Sequence, residues 1–128
     1  MMSTSTPRCR IIPSLRYKDA PAAIDWLGKA FGFEPHLVVP GENGTIVHAQ
    51  LVFGGGMIML GSSGGHGGGY DELVKAPGEV GGVGTQSPYV IVDDADAHHA
   101  RAAAAGAEVL LPPEDASYGG RGYTCRDP

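Results

Sequence analysis

The feature that most constrains the fold is an internal repeat. "SLRYKDAPAAIDWLGKAFGFE" (Ser14–Glu34) and "YVIVDDADAHHARAAAAGAE" (Tyr89–Glu108) follow one plan. Each copy has a strand-like run, Ile11–Tyr17 or Pro88–Val92, then an acidic residue, a helix of about twelve residues, and a closing Gly-x-Glu. The chain has 128 residues, which suits one modest core. We therefore predict one domain, residues 1–128, with two related modules.

Helix signals in both copies support this plan. In the first copy Asp19 is a suitable N-cap, Pro21 lies in the first turn, and Gly32 supplies a left-handed stop. The apolar stripe of this helix consists of Ile24, Leu27 and Phe31. In the second copy the corresponding residues are Asp94 or Asp96 as cap, the alanine run Ala100–Ala105, and Gly106 as stop.

Strand signals complete the two modules. Module one, about 10–61, adds three strands after its helix: Glu34–Val39, Thr45–Phe53 and Met57–Gly61. Module two, about 87–128, adds Glu108–Leu111, a loop "PPEDASYGGRG", and a strand near Gly122–Arg126. By analogy with module one, a last strand should follow the turn at "RDP". We expect either that the chain is truncated by roughly 10–15 residues or that a partner chain fills this place.

A glycine-rich linker, Gly61–Gly84, separates the modules. Loops of this length in compact domains are usually functional or disordered. The linker is therefore either a flexible surface excursion or a lid over a pocket, with one helical turn expected at Asp71–Lys75.

Charge and composition exclude several classes of partner. The net charge is −5 and no Lys/Arg cluster occurs, which argues against nucleic acid. No secretory segment and no apolar run of membrane-spanning length is present, so we predict a cytoplasmic protein without a membrane partner. Cys9 and Cys125 lie far apart and are expected to be reduced.

Histidine is a common metal ligand, but none of the five histidines has the spacing of a known metal-binding motif. His98 and His99 are expected on the solvated face of the second helix. His66 falls in the linker and His36 begins a strand, so only His48 has a direction that alternation predicts.

Strand alternation separates two faces of the hairpin that carries His48. Ala49, Leu51, Phe53, Ile58 and Leu60 should pack on the helices. The opposite face then carries His48, Gln50, Val52, Met57 and Met59. This mixed face is either a binding surface, which adaptable methionines suit, or a half-exposed face with nothing bound.

The repeat, the hairpin "HAQLVFGGGMIML" and the stretch "YGGRGYTCRDP" together resemble the vicinal oxygen chelate superfamily. This superfamily includes glyoxalase I, bleomycin-resistance proteins and extradiol dioxygenases. The similarity covers about residues 10–128 and is greatest to a metal-poor branch associated with phosphonate operons. It implies an α+β fold in which paired βαβββ modules form an open, U-shaped mixed sheet around a cavity, usually in a homodimer.

The resemblance also implies where metal ligands would lie. The positions fall near Ile12 or Ser14, near Met59 and near Ser87, and a fourth would lie beyond Pro128. None of these residues is His, Glu or Gln, the usual ligands for Ni²⁺, Zn²⁺ or Fe²⁺. We therefore expect no metal and no other cofactor.

The resemblance thus implies a protein that binds a small organic molecule, with sequestration of an antibiotic-like ligand, as in the bleomycin-resistance proteins, as the concrete version. The expected cavity residues are His48, Gln50, Met57, Met59, Arg16, Tyr89, Tyr118, Arg121 and Tyr123. Whether the protein is an enzyme stays open. The alternatives are a metal-dependent lyase or dioxygenase, and a metal-free isomerase that uses His48 as general base.

Overall fold

The first half of the chain forms a four-stranded mixed sheet with a helix packed on one side. The structure, a computed structural model, describes residues 10–64 and 68–128, and only the backbone of residues 68–70. Its first elements are β1 (Ser14–Tyr17), α1 (Ala20–Phe31), β2 (Glu34–Pro40), β3 (Ile46–Phe53) and β4 (Gly56–Ser62). The sheet order is β1-β4-β3-β2, with β1 parallel to β4 and the other pairs antiparallel. The predicted α+β class with a mixed sheet is confirmed.

Helix α1 begins and ends where the sequence predicts because its caps satisfy free backbone groups. The Asp19 carboxylate accepts a hydrogen bond from the Ala22 N–H over 3.1 Å. At the other end Gly32 has a φ of 84°, which a side chain would resist. Ile24 and Phe31 pack at the margin of the core. The fully buried side of α1 consists mainly of small residues: Ala20, Ala23, Leu27 and Ala30.

The hairpin of β3 and β4 divides its side chains between two faces as alternation predicts. Ala49, Leu51, Ile58 and Leu60 form part of the core and are at most 8% exposed. Phe53 packs against the same core. The side chains between them point to the opposite side of the sheet. A slip of one residue would exchange the two faces, so burial of the apolar set fixes the position of both.

The second half contributes helices and a separate two-stranded sheet. Its elements are α2 (Gly68–Leu73), α3 (Ala95–Ala104), β5 (Glu108–Asp115) and β6 (Arg121–Arg126), and β5 pairs antiparallel with β6. Single 3₁₀ turns cover Glu42–Gly44 and Pro77–Glu79. Cys9 and His66 lie outside the described residues. No helix in the described part of the chain is long and apolar enough to cross a membrane.

Strand β5 continues through Pro112 and Pro113, which the sequence assigned to a loop. The pairing shifts register between Leu111 and Glu114, where the prolines lie. Among the described strands β5 pairs only with β6, so its other edge is open. A proline has no N–H group to donate, and at this open edge that absence removes no hydrogen bond between strands. The prediction that the strand ends at Leu111 was wrong for this reason.

The strand predicted at Pro88–Val92 does not form in this structure. These residues lie outside any strand, and no described strand pairs with them. Tyr89 is 84% exposed and Ile91 is 83% exposed. A strand requires a hydrogen-bonded neighbour, and apolar composition alone does not supply one.

Helix α3 docks on α1 through side-chain contacts to backbone carbonyls. Arg101 donates from Nε to the Lys29 carbonyl over 2.8 Å and from Nη2 to the Gly28 carbonyl over 2.9 Å. Trp26 donates from Nε1 to the Ala105 carbonyl over 2.7 Å. Carbonyls in the last turn of a helix carry partial negative charge, and a carbonyl oxygen has two lone pairs, so each can accept a hydrogen bond from a guanidinium.

His98 lies in the contact between α1, α3 and β6, whereas the sequence placed it on a solvated face. Its ring stacks on Phe31 with the ring centroids 5.5 Å apart. Its Nε2 is 3.3 Å from the Phe31 carbonyl, which can only accept, and its Nδ1 is 2.7 Å from the Tyr123 hydroxyl. A neutral ring that donates from Nε2 and accepts at Nδ1 fits both contacts.

The pKa of His98 is lowered, chiefly by burial. The hydrogen bond to Phe31 raises it, and the nearby charge of Arg101 lowers it further. The alanines of α3 form no apolar stripe, so the sequence did not indicate which side of this helix faces inward.

Matched leucine substitutions test the two faces of the sheet. Leu51 is 1% exposed in the core, and Leu37 in β2 is 45% exposed. We expect Leu51→Ala to lower the free energy of unfolding by about 2–5 kcal/mol because it opens a cavity. Leu37→Ala should cost less than about 1 kcal/mol. Urea denaturation measures both, and equal losses would contradict the assigned faces.

Acidification should destabilise the protein through His98. The folded pKa is lowered from the ordinary value of 6.5, so the unfolded chain binds the proton first. The stabilisation that the neutral His98 ring provides is complete well above pH 6.5, and it is lost as the pH falls toward the pKa of the folded protein. We expect the free energy of unfolding to decrease as the pH falls below about 6.5, the ordinary pKa of the imidazole.

His98→Gln should remove most of this decrease, and His99→Gln, the neighbouring control, should keep it. Urea denaturation at several pH values checks this. An unchanged pH dependence in His98→Gln would contradict it.

Candidate functional site

The candidate site is the side of the four-stranded sheet that faces away from α1, here called the polar face. It is formed by Arg16, His48, Gln50, Met57 and Met59, together with Ser14 and Val52. The strand register brings them together: Gln50 lies opposite Met59, Val52 opposite Met57, and Ser14 beside Met59. The structure therefore gathers five of the predicted site residues on one surface built by three neighbouring strands.

The polar face is partly removed from solvent. Arg16 is 6% exposed, Val52 6% and Met57 9%. His48, Gln50 and Met59 are half-buried. Side chains in this state combine apolar contact area with hydrogen-bonding groups that still reach the surface.

A glycine in β4 shapes the centre of the polar face. Gly61 lies beside Arg16 in the parallel pair of β1 and β4. A Cβ atom built on Gly61 would overlap Arg16 Nη1 and lie 3.0 Å from the Val47 carbonyl. The guanidinium therefore extends across β4 toward β3, into space that only a glycine leaves open.

The other predicted residues lie elsewhere in the structure. Tyr89 and Tyr118 are 84% and 86% exposed. Arg121 forms ion pairs with Asp96 at 3.0 Å and with Asp115 at 3.2 Å. The hydrogen bonds that Arg121 donates to Asp96 and then to Asp115 raise the pKa of Arg121. The Tyr123 hydroxyl contacts His98, so Arg121 and Tyr123 face α3 and not the polar face.

A polar row on β6 was not anticipated from the sequence. Tyr123 and Cys125 share one side of the strand, and Asp127, directly after its last residue, accepts a hydrogen bond from the Tyr17 hydroxyl. Burial, and then Asp127, raise the pKa of Tyr17. Burial, and then Cys125, raise the pKa of Tyr123 to about 12.

The thiol of Cys125 shows the same effect. Burial first, and then Asp127, raise its pKa. Tyr17, Tyr123 and Cys125 therefore keep their protons at neutral pH, and Asp127 joins the two halves of the chain through its hydrogen bond with Tyr17. The spacing i, i+2, i+4 was the only sequence signal for this row.

Two surface cavities lie next to α1. One, of about 210 Å³, is lined by Trp26, Gly106, Glu108, Arg126, Asp127 and Pro128. The other, of about 500 Å³, is lined by Pro21, Ile24, Asp25, Gly28, Lys29, Pro35 and Arg101. Neither includes a predicted site residue.

The positions at which the resemblance implies metal ligands come close together but carry unsuitable donors. Ser14 lies beside Met59, and Gln86, next to Ser87, donates a hydrogen bond to the Ser14 carbonyl. Hydroxyl and thioether groups do not replace imidazole and carboxylate for Ni²⁺, Zn²⁺ or Fe²⁺. Among the described residues no three His, Cys, Asp or Glu side chains converge. The residues at these positions do not fit such a metal.

Comparison with known proteins gives matches along most of the chain. An uncharacterized protein of Mycobacterium bovis, Mb0911c, is 34% identical over 123 residues, which cover 91% of this chain and 74% of the relative. Two Mycobacterium tuberculosis proteins match at the same identity, and there the chain spans 66% of the relatives' length.

Solved structures show the same fold. TioX from Micromonospora sp. ML1 is 33% identical with a TM-score of 0.64, and the match covers 93% of this chain and 89% of that one. A lactoylglutathione lyase from Agrobacterium tumefaciens has a TM-score of 0.63 at 20% identity, covering 95% of this chain and 87% of that one. The second likeness is one of fold alone.

The family model described as Glyoxalase/Bleomycin resistance protein/Dioxygenase superfamily matches residues 10–128, which includes every element of the fold and the whole polar face. The chain belongs to the glyoxalase/bleomycin resistance protein/dioxygenase superfamily, also called the vicinal oxygen chelate superfamily.

Proposed function

We propose that this protein binds a small organic molecule on the polar face without a bound metal, and that sequestration of an antibiotic is its concrete role. The observation that carries the proposal is the register that sets Gln50 opposite Met59 and Val52 opposite Met57. This register gives one surface both apolar area and hydrogen-bonding groups. We place the protein in the metal-poor branch that is associated with phosphonate operons.

The chemistry of the polar face suits an organic ligand. Methionine side chains are flexible and polarizable, so Met57 and Met59 can adapt to an apolar ring system. Gln50 offers a donor and an acceptor, and His48 offers one of each when neutral. The apolar residues that pack on α1 lie on the other side of the sheet, so the half-buried His48, Gln50 and Met59 can contact a ligand.

We further propose the domain plan that the family implies. The order β1, α1, β2, β3, β4 gives module one, about 10–61. Residues of about 87–128, of which the structure shows α3, β5 and β6, would be the second module and would complete a U-shaped cavity in a cytoplasmic homodimer. Exposed apolar side chains support a covering partner in this region, since Tyr89, Ile91 and Leu111 are all more than half exposed.

The rival function is catalysis at His48, as a metal-free isomerase or with a metal held by displaced ligands. His48 is half-buried and shares the polar face with a guanidinium, a setting in which an imidazole can exchange protons with a ligand. The enzyme names of some neighbours do not favour this function, because the lactoylglutathione lyase is only 20% identical.

Methyl NMR tests binding directly. The chain has four methionines, and Met57→Leu and Met59→Leu assign their two ¹³Cε signals. We expect a bound organic compound from an antibiotic library to shift both signals, because both methyl groups line the polar face. The Trp26 indole N–H signal on α1 is the control and should stay in place. Binding that moves Trp26 but neither methionine would contradict the proposed site.

Substitution of Gln50 tests the polar contribution. Gln50→Ala should weaken binding of such a compound by about three- to tenfold, the effect of losing roughly one hydrogen bond. Lys29→Ala, on the exposed side of α1, should leave the affinity unchanged. Equal affinity in both variants would contradict a role for Gln50.

Metal analysis separates the binding protein from a metal enzyme. We expect the purified protein to hold no stoichiometric Ni, Zn or Fe, because hydroxyl and thioether donors bind these ions weakly. Elemental analysis of the wild type and of His48→Ala gives the answer. Stoichiometric metal that is lost in His48→Ala would contradict the proposal.

A further inference from the structure

We propose that the molecule bound on the polar face carries a carboxylate, which binds between Arg16 and His48. This inference rests on the proposed function and adds the chemical class of the ligand. It starts from one row of residues across the sheet. Arg16 in β1 lies beside Gly61 in β4, and continuing the register of β3 and β4 by one residue places His48 opposite Gly61.

The row has a charged residue at one end and a titratable residue at the other, with a glycine between them. Neighbouring strands are about 4.8 Å apart, so Arg16 and His48 stand about 10 Å apart at the backbone. The guanidinium covers part of this distance, because Arg16 Nη1 occupies the space above Gly61. A small group that sits over β4 therefore meets the guanidinium on one side and the imidazole on the other.

The glycine has a steric role at this position. Gly61 is inside β4, and its backbone φ is outside the left-handed region that favours glycine. What requires glycine is the close approach of Arg16 Nη1, with the Val47 carbonyl 3.0 Å from where a Cβ would stand. Gly61 thus sets the direction in which the guanidinium points.

The local charge favours an anion although the chain as a whole is acidic. The net charge is −5, so the long-range field does not attract anions. Among the residues that define the polar face, the one permanent charge is that of Arg16, which is 6% exposed. An oxyanion interacts more strongly with a desolvated guanidinium than with one in water. The planar guanidinium also matches a carboxylate with two parallel hydrogen bonds.

Three probes of one shape test the class: 2-naphthoate, its neutral amide 2-naphthamide, and the cationic 2-naphthylmethylamine. Each is titrated into the wild type while the Met57 and Met59 methyl signals are followed. We expect 2-naphthoate to bind at least about tenfold more tightly than the amide, and the amine to bind most weakly. A naphthalene phosphonate is titrated in parallel, and we expect it to bind less tightly than 2-naphthoate.

Variants assign the preference to the row. Arg16→Gln should abolish the preference for 2-naphthoate over the amide. Gly61→Ala should reduce 2-naphthoate binding by about tenfold through displacement of the guanidinium, with the amide little changed. Lys18→Gln, which removes a positive charge from an exposed residue just after β1, should keep the full preference. If Arg16→Gln does not fold, Arg16→Lys and Gly61→Ala carry the test, because both retain the charge and change only its geometry.

The outcomes separate this inference from the proposed function. Equal affinity for amide and carboxylate, with the Met59 signal shifted by both, would overturn the carboxylate and leave the binding site intact. Tighter binding of the phosphonate would overturn the carboxylate in favour of another oxyanion. No shift of either methionine signal with any of these probes would overturn the carboxylate, and the antibiotic-library titration would then decide the proposed function by itself.

Discussion

The burial of Ala49, Leu51, Ile58 and Leu60 against α1 is the constraint on which the rest of the structure depends. These side chains alternate with the residues of the polar face, so fixing one set fixes the other. The small buried side chains of α1 allow the helix to lie close to the sheet. The positions of the side chains on the polar face therefore follow from the packing of the alternate residues on the other side of the same two strands.

A second set of contacts positions the later half of the chain on α1. Arg101 reaches the last carbonyls of the helix, Trp26 reaches the carbonyl at the end of α3, and Tyr17 donates to Asp127. These contacts are mostly polar and direct side chains to backbone atoms. They place Arg121 and Tyr123 toward α3 and away from the polar face.

Local signals explain what the sequence could predict. The caps Asp19 and Gly32 lie within a few residues of the helix they bound, and the alternation around His48 is written in consecutive residues. Both predictions were confirmed because each depends on neighbours in sequence. The facing of the hairpin followed from the same alternation, and with it the grouping of Gln50 and Met59, whereas Arg16 joins them through the pairing of β1 with β4.

The failures concern features that depend on distant partners. Pro88–Val92 has strand-like composition but no neighbouring strand in the described structure. His98 turns inward because its ring contacts Phe31 and Tyr123. The alanine-rich sequence of α3 has no apolar stripe that would predict which side of the helix is buried. The space above Gly61 is a property of three strands together, so a single-strand pattern does not reveal it.

A crystal structure of the purified protein is the most direct measurement of the central claim, that the polar face is a metal-free binding site. We expect the side chains of Arg16, His48, Gln50 and Met59 to lie on one surface. Electron density for an organic molecule should lie beside them, and no metal should be coordinated there. A metal ion bound by His48, or a polar face filled by the protein's own packed side chains, would contradict it.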